Sequence, residues 1–249
     1  MKELPLVSVI TSVLNAGHEL ENTIKSMNDW GYANVEYIVV DGGSSDSTRN
    51  VLLNYSSCIS KIVSESDTGI YDAWNKGLKL ATGDYIAFLG AGDVYINSGL
   101  SKLVIHALKY PDADFISSKI EIALSCNKSI IEGAPWEWCY FRRYMNVDHP
   151  GALHSRRLFD LYGNFDKSFK IAGDYEFLLR AGSTLKADFI NEVTLKMLDG
   201  GVSQVGLAVL KEVERAKVKH GVVPKWLARA DRYYAEFKKT IKDKSSFKI

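Results

Sequence analysis

Apolar residues along the chain come in short runs, separated by stretches whose apolar positions recur every three or four residues. Leu6-Val7-Ser8-Val9-Ile10-Thr11-Ser12, Val35 to Asp41, Ile59 to Ser64, Asp84 to Leu89 and Asp114 to Ser118 are rich in β-branched and aromatic residues and bounded by turn formers, which predicts five strands. Between them, Leu20 to Met27, the segment through Val51, Leu52 and Leu53, Ile70 to Leu80, and Leu100 to Ile105 carry a helical period. Asp46 or Ser47 is placed to cap the second of these helices. Arg156 to Tyr162 and Tyr175 to Arg180 predict two more helices. Strands alternating with helices at this spacing imply βαβ crossovers, hence an α/β fold with a mainly parallel sheet flanked by helices. Ser125 to Met145 breaks the pattern, with aromatic and basic residues but no clean period. From about Val205 the sequence reads as two amphipathic helices interrupted near Gly221 and Pro224.

Composition narrows the picture. The 249 residues suffice for one large α/β domain, and 46% hydrophobic with 24% charged residues is an ordinary globular profile. A net charge of +1 gives no case for a nucleic-acid partner. Cys58, Cys126 and Cys139 have no CxxC spacing, which argues against a zinc cluster or a disulfide framework and suits a reducing compartment. No apolar run approaches the roughly 18 residues of a membrane span. Leu4 to Leu14 is interrupted by Ser8, Thr11 and Ser12 and has no A-x-A site after it, so it reads as a strand and not a leader. The expected location is the cytoplasm.

Carboxylates mark the functional edge. Asp41 and Asp93 follow the ends of two predicted parallel strands, and Asp67 lies in the turn before the Ile70 helix. Open α/β sheets bind ligands outside the carboxyl ends of their strands. Like charges gathered there repel unless a cation or hydrogen-bond donors join them, although an aspartate after a strand also serves as a plain turn or cap residue. In Phe88-Leu89-Gly90-Ala91-Gly92-Asp93 the glycines allow a sharp bend and close approach of a phosphate or metal. Hard divalent cations take one or two carboxylates plus substrate phosphates, which makes Asp93 a candidate metal ligand.

The succession Val7 to Ser12, Val39-Val40-Asp41-Gly42-Gly43-Ser44-Ser45-Asp46-Ser47-Thr48, Glu65-Ser66-Asp67-Thr68-Gly69-Ile70-Tyr71-Asp72-Ala73-Trp74-Asn75-Lys76-Gly77 and Ala81-Thr82-Gly83-Asp84-Tyr85-Ile86 resembles family 2 glycosyltransferases of the GT-A fold. The resemblance is strong over residues 5 to 100 and looser to about residue 200. It implies a domain over 1–204, with a nucleotide-binding half to about residue 100 and an acceptor-binding half after it; the basic helical extension over 205–249 lies beyond the resemblance. It also implies an inverting transferase using a nucleotide-diphosphate sugar, most often a UDP-sugar, and a divalent metal. By the same resemblance Asp41 accepts a hydrogen bond from the base, the Thr11 region shapes the base pocket, Asp67 lies beside the nucleotide, and Gly92 and Asp93 hold the metal–diphosphate end. Asp174, in Ala172-Gly173-Asp174-Tyr175-Glu176, matches the general base at the start of a helix, where it also fits a simple N-cap.

The chain departs from the family at Gly92-Asp93, where many relatives carry two carboxylates. His149, in Asp148-His149-Pro150-Gly151, is the candidate to share the metal, since imidazole suits Mn2+ better than Mg2+; a hydrogen-bonded turn histidine is the competing reading. His154, within a predicted strand, reads as structural. Trp136, Trp138, Arg142 and Arg143 form a candidate acceptor platform, the aromatic faces for sugar rings and the arginines for phosphate; the alternative is that the tryptophans and Tyr140 fill a small satellite core and the arginines face water. Lys and Arg outnumber acids roughly two to one in the tail, which suits a helix lying on an anionic membrane, with packing against the domain or a second copy in a homodimer as the alternatives. The expected partners are therefore a nucleotide-sugar donor and a glycan or lipid-linked acceptor in cell-surface polysaccharide assembly, with a peripheral contact at the cytoplasmic face of the inner membrane. The rival from another class is a non-catalytic nucleotide-sugar binding or scaffolding subunit. A nucleotidyltransferase is disfavoured, because Thr11 to Gly17 contains no basic residue for a phosphate loop. A dinucleotide-binding reading of Gly90-Ala91-Gly92 is weak, because Tyr95 occupies the place of the third glycine of the fingerprint.

Overall fold

A computed structural model describes residues 4–124, 128–198 and 207–246. Cys126 and the expected boundary at 204/205 lie outside the described residues.

The first half is a parallel sheet built as its apolar runs require. Strands β1 (Val7–Val13), β2 (Val35–Asp41), β3 (Lys61–Ser64) and β4 (Tyr85–Gly90) are joined by helices α1 (Gly17–Lys25), α2 (Thr48–Asn54) and α3 (Ile70–Leu80). They lie side by side in the order β3-β2-β1-β4, every pair parallel. Alternate residues of each strand face opposite layers. Ile10, Ile38, Val40, Ile86 and Phe88 pack beneath α3. Val9, Tyr37, Val39, Ala87 and Leu89 pack against α1 and α2 on the other side. Burial on both faces explains why these strands read as nearly continuous apolar runs.

The second half departs from simple alternation. It contains β5 (Val94–Tyr95), α4 (Gly99–Lys109), β6 (Phe115–Leu124), β7 (Lys128–Glu132), the short α5 (Trp138–Phe141), β8 (Leu153–Ser155), α6 (Arg156–Tyr162), α7 (Gly173–Ala181) and β9 (Ala187–Leu198). The sheet continues as β4-β8-β6-β9-β5, with β7 paired to β6. β6 and β9 run parallel, whereas β8, β7 and β5 join antiparallel. The sheet is thus parallel through its first four strands and mixed beyond them. β9 escapes the apolar pattern because Asp188, Asn191, Glu192 and Lys196 interrupt it; only Ile190, Thr194 and Leu195 are fully buried.

The last two helices, α8 (Ala208–Lys219) and α9 (Lys225–Ser246), break where Gly221 and Pro224 predict. They do not stand free of the domain. Ala216, Lys217, Ala228 and Asp231 are buried; Ala216 joins the apolar cluster that holds Phe88 and Phe177, and Nε of Arg143 meets the Asp231 carboxylate at 3.2 Å. Packing against the domain is therefore real for one face of this extension.

Candidate active site

The strand register brings the carboxylates to one edge. Val13 is level with Asp41, Asp41 with Ser64, and Ser12 with Gly90, so the carboxyl ends of all four parallel strands form one row. Asp41 on β2 and the turn after β4 are two strand spacings apart, about 10 Å.

Asp41 is buried and held on both oxygens: the Ser44 N–H donates to Oδ1 at 2.9 Å and the Ser64 hydroxyl to Oδ2 at 2.6 Å. Burial works against its charge, but these bonds and nearby Arg49 win, holding the carboxyl below its usual range. Asp67 stands next to it. A Cβ on Gly42 would overlap the Asp67 carboxylate, so the glycine is what lets the β2 and β3 loops close on each other. Asp67 Oδ1 also accepts from the Gly69 N–H at 2.9 Å, fixing the turn into α3. Asp46 behaves as foreseen, capping α2 through the Thr48 N–H at 2.9 Å, and it also accepts from Gly17 at the start of α1. α1 itself starts three residues earlier than its apolar period indicated.

Thr11 does not reach this edge. Its side chain is buried beneath the sheet, where it accepts a hydrogen bond from the Tyr37 hydroxyl at 3.2 Å. Asn15 is the β1-loop residue at the rim: its backbone N–H donates to Ser44 Oγ and its side-chain oxygen accepts from the Ser45 N–H, both at 2.8 Å.

Asp93 closes a tight turn. Gly92 adopts φ +97° and donates its N–H to the Thr23 hydroxyl at 2.8 Å, while the Gly90 N–H donates to Asp93 Oδ2 at 2.9 Å. Burial pushes the Asp93 carboxyl up to about 7, against the pull of the Gly90 and Leu198 N–H groups. A desolvated carboxylate with no cationic side chain beside it among the described residues fits a ligand for a divalent cation, which would supply the missing charge. Among the described residues no three His, Cys, Asp or Glu side chains gather as a metal-binding group, so the rest of such a shell would come from substrate oxygens.

His149 is not an open turn residue. Its ring stacks on Trp74 at 5.2 Å and on Phe88 at 5.5 Å, with His154 4.7 Å away. Neither ring nitrogen has a hydrogen-bond partner among the described residues, and burial lowers its pKa to about 3, so the imidazole is neutral. It forms part of an aromatic wall with Trp74, Phe88 and His154. His154 sits on β8 with Nδ1 3.2 Å from the Ile86 carbonyl, a structural position.

Asp174 opens α7. Its Oδ1 accepts from the Tyr175 N–H at 2.8 Å and from the Tyr71 hydroxyl at 3.1 Å. Burial raises the Asp174 carboxyl to about 6, further helped by the charge of Glu212, while those two hydrogen bonds oppose the rise. Lys170, four residues earlier, reaches across to the Thr68 carbonyl at 2.5 Å. Tyr71 and Lys170 therefore tie the Asp174 segment to the Asp67 turn. The sequence pattern marked neither residue; Tyr71 looked like one more apolar position of an amphipathic helix.

The acceptor-side segment divides. Trp136 and Trp138 stack 6.2 Å apart, half-buried on the core through Phe141. Arg142 is exposed. Arg143 is engaged elsewhere, with Nη2 at 2.5 Å and Nε at 3.2 Å from Asp231 Oδ1 on α9, so it anchors the extension and is not free to hold a phosphate.

The chain belongs to glycosyl transferase family 2, whose model matches residues 8–155. It is a glycosyltransferase. It is 27% identical over 183 residues to a PGL/p-HBAD biosynthesis glycosyltransferase of Mycobacterium bovis, covering 72% of this chain and 70% of that protein. A glycosyltransferase of Mycobacterium tuberculosis is 31% identical over 189 residues, with 73% and 70% covered. Among solved structures, S. aureus TarS residues 1–349 in complex with UDP-GlcNAc superimposes with a TM-score of 0.71 at 15% identity, covering 91% of this chain and 70% of that one. The chain spans only 41% of the longer TarS chain. A mannosyltransferase of Pyrobaculum calidifontis in complex with GDP-Man and Mn2+ gives a TM-score of 0.62 at 18% identity, with 88% and 64% covered. These likenesses place the chain in the GT-A fold.

Proposed function

We propose that this glycosyltransferase moves one sugar from a nucleotide-diphosphate sugar, a UDP-sugar in our reading, to a hydroxyl of a glycan or lipid-linked acceptor, with inversion at the anomeric carbon. The observation that carries the proposal is the convergence of Asp41, Asp67 and Asp93 on one sheet edge, with Asp174 tied to the same edge through Tyr71.

Asp41 and Asp67 flank the cleft for the nucleoside. Asp174 accepts the proton of the acceptor hydroxyl as its oxygen attacks the anomeric carbon from the face opposite the diphosphate. A bond forms between acceptor oxygen and anomeric carbon, the bond to the diphosphate oxygen breaks, and the electron pair leaves with the nucleoside diphosphate. A base with its pKa near 6 is ionised at neutral pH and still strong enough to share that proton. Mn2+ or Mg2+, held by Asp93 together with the diphosphate, would neutralise the charge that develops on the leaving group. Half-buried Trp136 and Trp138 and exposed Arg142 lie on the acceptor side. The exposed face of α9 gives the extension a peripheral membrane contact, matched to a lipid-linked acceptor.

A thermal-shift panel of UDP, GDP, dTDP and CMP, each with and without Mn2+ or Mg2+, tests the reading. A ligand at 100 times its dissociation constant stabilises the fold by roughly 2.7 kcal/mol. A metal-dependent shift for UDP supports it; a metal-dependent shift for GDP or dTDP alone replaces the donor class. No shift with any nucleotide favours a scaffolding subunit.

A further inference from the structure

We propose that Glu212, on helix α8 of the C-terminal extension, is a positioning residue for Asp174. Its carboxylate gathers the backbone N–H groups of the three residues Lys170, Ile171 and Ala172 and so fixes the turn from which the base-bearing helix starts. The inference rests on the assignment of Asp174 as the base.

Helix α7 has no cap of its own. Ala172 occupies the N-cap position and has no side-chain oxygen to offer. Glu212 instead fixes the turn that leads into the helix, reaching it from another helix 40 residues on in the chain. Its Oε1 accepts from Lys170 N at 2.8 Å, and its Oε2 accepts from Ile171 N at 2.8 Å and Ala172 N at 2.9 Å. One carboxylate therefore satisfies three consecutive donors, a charge-assisted arrangement that holds the local backbone in a single conformation.

The rest of α8 grips the same loop without depending on Glu212. Arg215 lies 3.7 Å over the Phe169 ring and donates to the Ser168 carbonyl at 2.9 Å. Lys219 bridges Asp166 and Glu176, each at 2.7 Å, and His220 contacts Glu176 at 2.8 Å. These contacts keep α8 docked when Glu212 is changed, so its effect on Asp174 is separable from its effect on folding. The ionisable groups that face Asp174 are Tyr71 from α3 and Glu212 from α8; Tyr71 donates a hydrogen bond to the carboxylate, while Glu212 acts on it through charge.

The test compares wild type with Glu212→Gln, Glu212→Ala and Asp174→Asn. It follows UDP release from UDP-GlcNAc across pH, and it titrates Asp174 by carboxyl 13C NMR, assigned by its loss in Asp174→Asn. We expect Glu212→Ala to lose at least tenfold in kcat with donor KM changed less than twofold. Glu212→Gln should recover part of kcat, because an amide oxygen still accepts backbone N–H bonds, and its lost charge should move the Asp174 midpoint and the acidic limb to lower pH. Unchanged kcat in Glu212→Ala, or a lowered melting temperature with midpoint and limb unmoved in both variants, overturns the proposal. Full activity in Asp174→Asn overturns instead the base assignment on which it rests. The NMR midpoint then still reports whether Glu212 acts on that carboxyl.

Discussion

The Tyr71 hydroxyl lies 3.1 Å from Asp174 Oδ1 and 2.6 Å from the Ile171 carbonyl oxygen, sharing one hydrogen between the candidate base and the backbone that carries it. Tyr71 comes from the helix behind the Asp67 turn, and Asp174 begins a helix about a hundred residues later. The bond therefore joins helix α3 to helix α7. It also stabilises the ionised carboxylate, which burial would otherwise push above about 6.

Activity should consequently fall as pH drops through about 6, because the base must be ionised to take a proton. Tyr71→Phe removes a donor to the ionised form, so its acidic limb should move to higher pH. Asp174→Asn should lower kcat by about 10²- to 10⁴-fold with the fold intact, the usual contribution of a positioned base. A pH–rate profile of the three proteins checks this, and a Tyr71→Phe limb that moves downward would count against the hydrogen bond's role.

The same shift has a stability consequence of definite sign. Because the folded-state pKa of Asp174 lies above the ordinary carboxylate value of 3.8, the native state holds this proton more tightly than the unfolded chain. Its contribution to stability is then present at low pH and is lost as pH rises from about 4 through about 6. Asp174→Asn, which never ionises, should gain melting temperature relative to wild type as pH is raised across that window. A difference that shrinks with rising pH would contradict it.

Asp93 gives a prediction that needs no acceptor. With Mn2+ and UDP present, wild type should show a stabilisation beyond that of UDP alone, and Asp93→Asn should lose that metal-dependent part while retaining any metal-free shift. The substitution also removes an ionisable group from a buried site, so the apo variant should be no less stable than wild type near pH 8. An intact metal-dependent shift in Asp93→Asn would place the cation elsewhere.

Much of this arrangement was legible from local pattern. Strands β1, β2 and β4 are buried on both faces, so their apolar runs and the aspartates that end β2 and follow β4 announce the edge directly; α3 and α6 lie where the helical period put them. Features made by distant contacts were not legible. Thr11 looks available beside a loop but is claimed by Tyr37. Arg143 looks like a phosphate ligand but is claimed by Asp231, 88 residues away. β9 alternates around charged residues, because much of it lies at the surface beside β6. Glu212 gave no signal, since a glutamate in an amphipathic helix reads as a solvated charge until the fold sets three N–H groups against it.

The Lys217–Asp231 pair makes the extension integral to stability. Both side chains are only 2% exposed, and Asp231 also receives Arg143 and the Tyr144 hydroxyl. Burial lowers the Lys217 pKa, with Asp231 opposing the fall. Asp231→Asn strands a buried ammonium and should cost about 3–5 kcal/mol. The double replacement Lys217→Met with Asp231→Leu should recover most of that loss, because it removes both charges from the interior. Urea denaturation of the two proteins measures the difference, and a cost below about 1 kcal/mol for Asp231→Asn would show that Lys217 finds another partner.

Helix α9 turns Ala228 and Asp231 inward and leaves outward the residues a soluble surface usually hides. Trp226, Tyr233 and Phe237 are 69%, 60% and 63% exposed, and with Ile241 they recur at helical spacing along one stripe. Exposed Lys225 and Arg229 flank the stripe on one side and Lys238 on the other. Beside it, a groove between α8 and α9 is lined by Lys211, Arg215, Lys219, Lys225 and Arg232, with Glu214 among them. An aromatic stripe between basic flanks matches the boundary between acyl chains and anionic headgroups. A second copy of the chain would set those cations against one another. No helix among the described residues is long and apolar enough to cross a membrane. The protein should co-sediment with vesicles containing phosphatidylglycerol and not with pure phosphatidylcholine, and added salt should weaken the binding. Trp226→Ser with Phe237→Ser should abolish it without lowering the melting temperature, since neither side chain packs against the core. Vesicle binding that survives the double change would move the contact elsewhere, and a dimer in solution that the change dissociates would make the stripe a subunit interface.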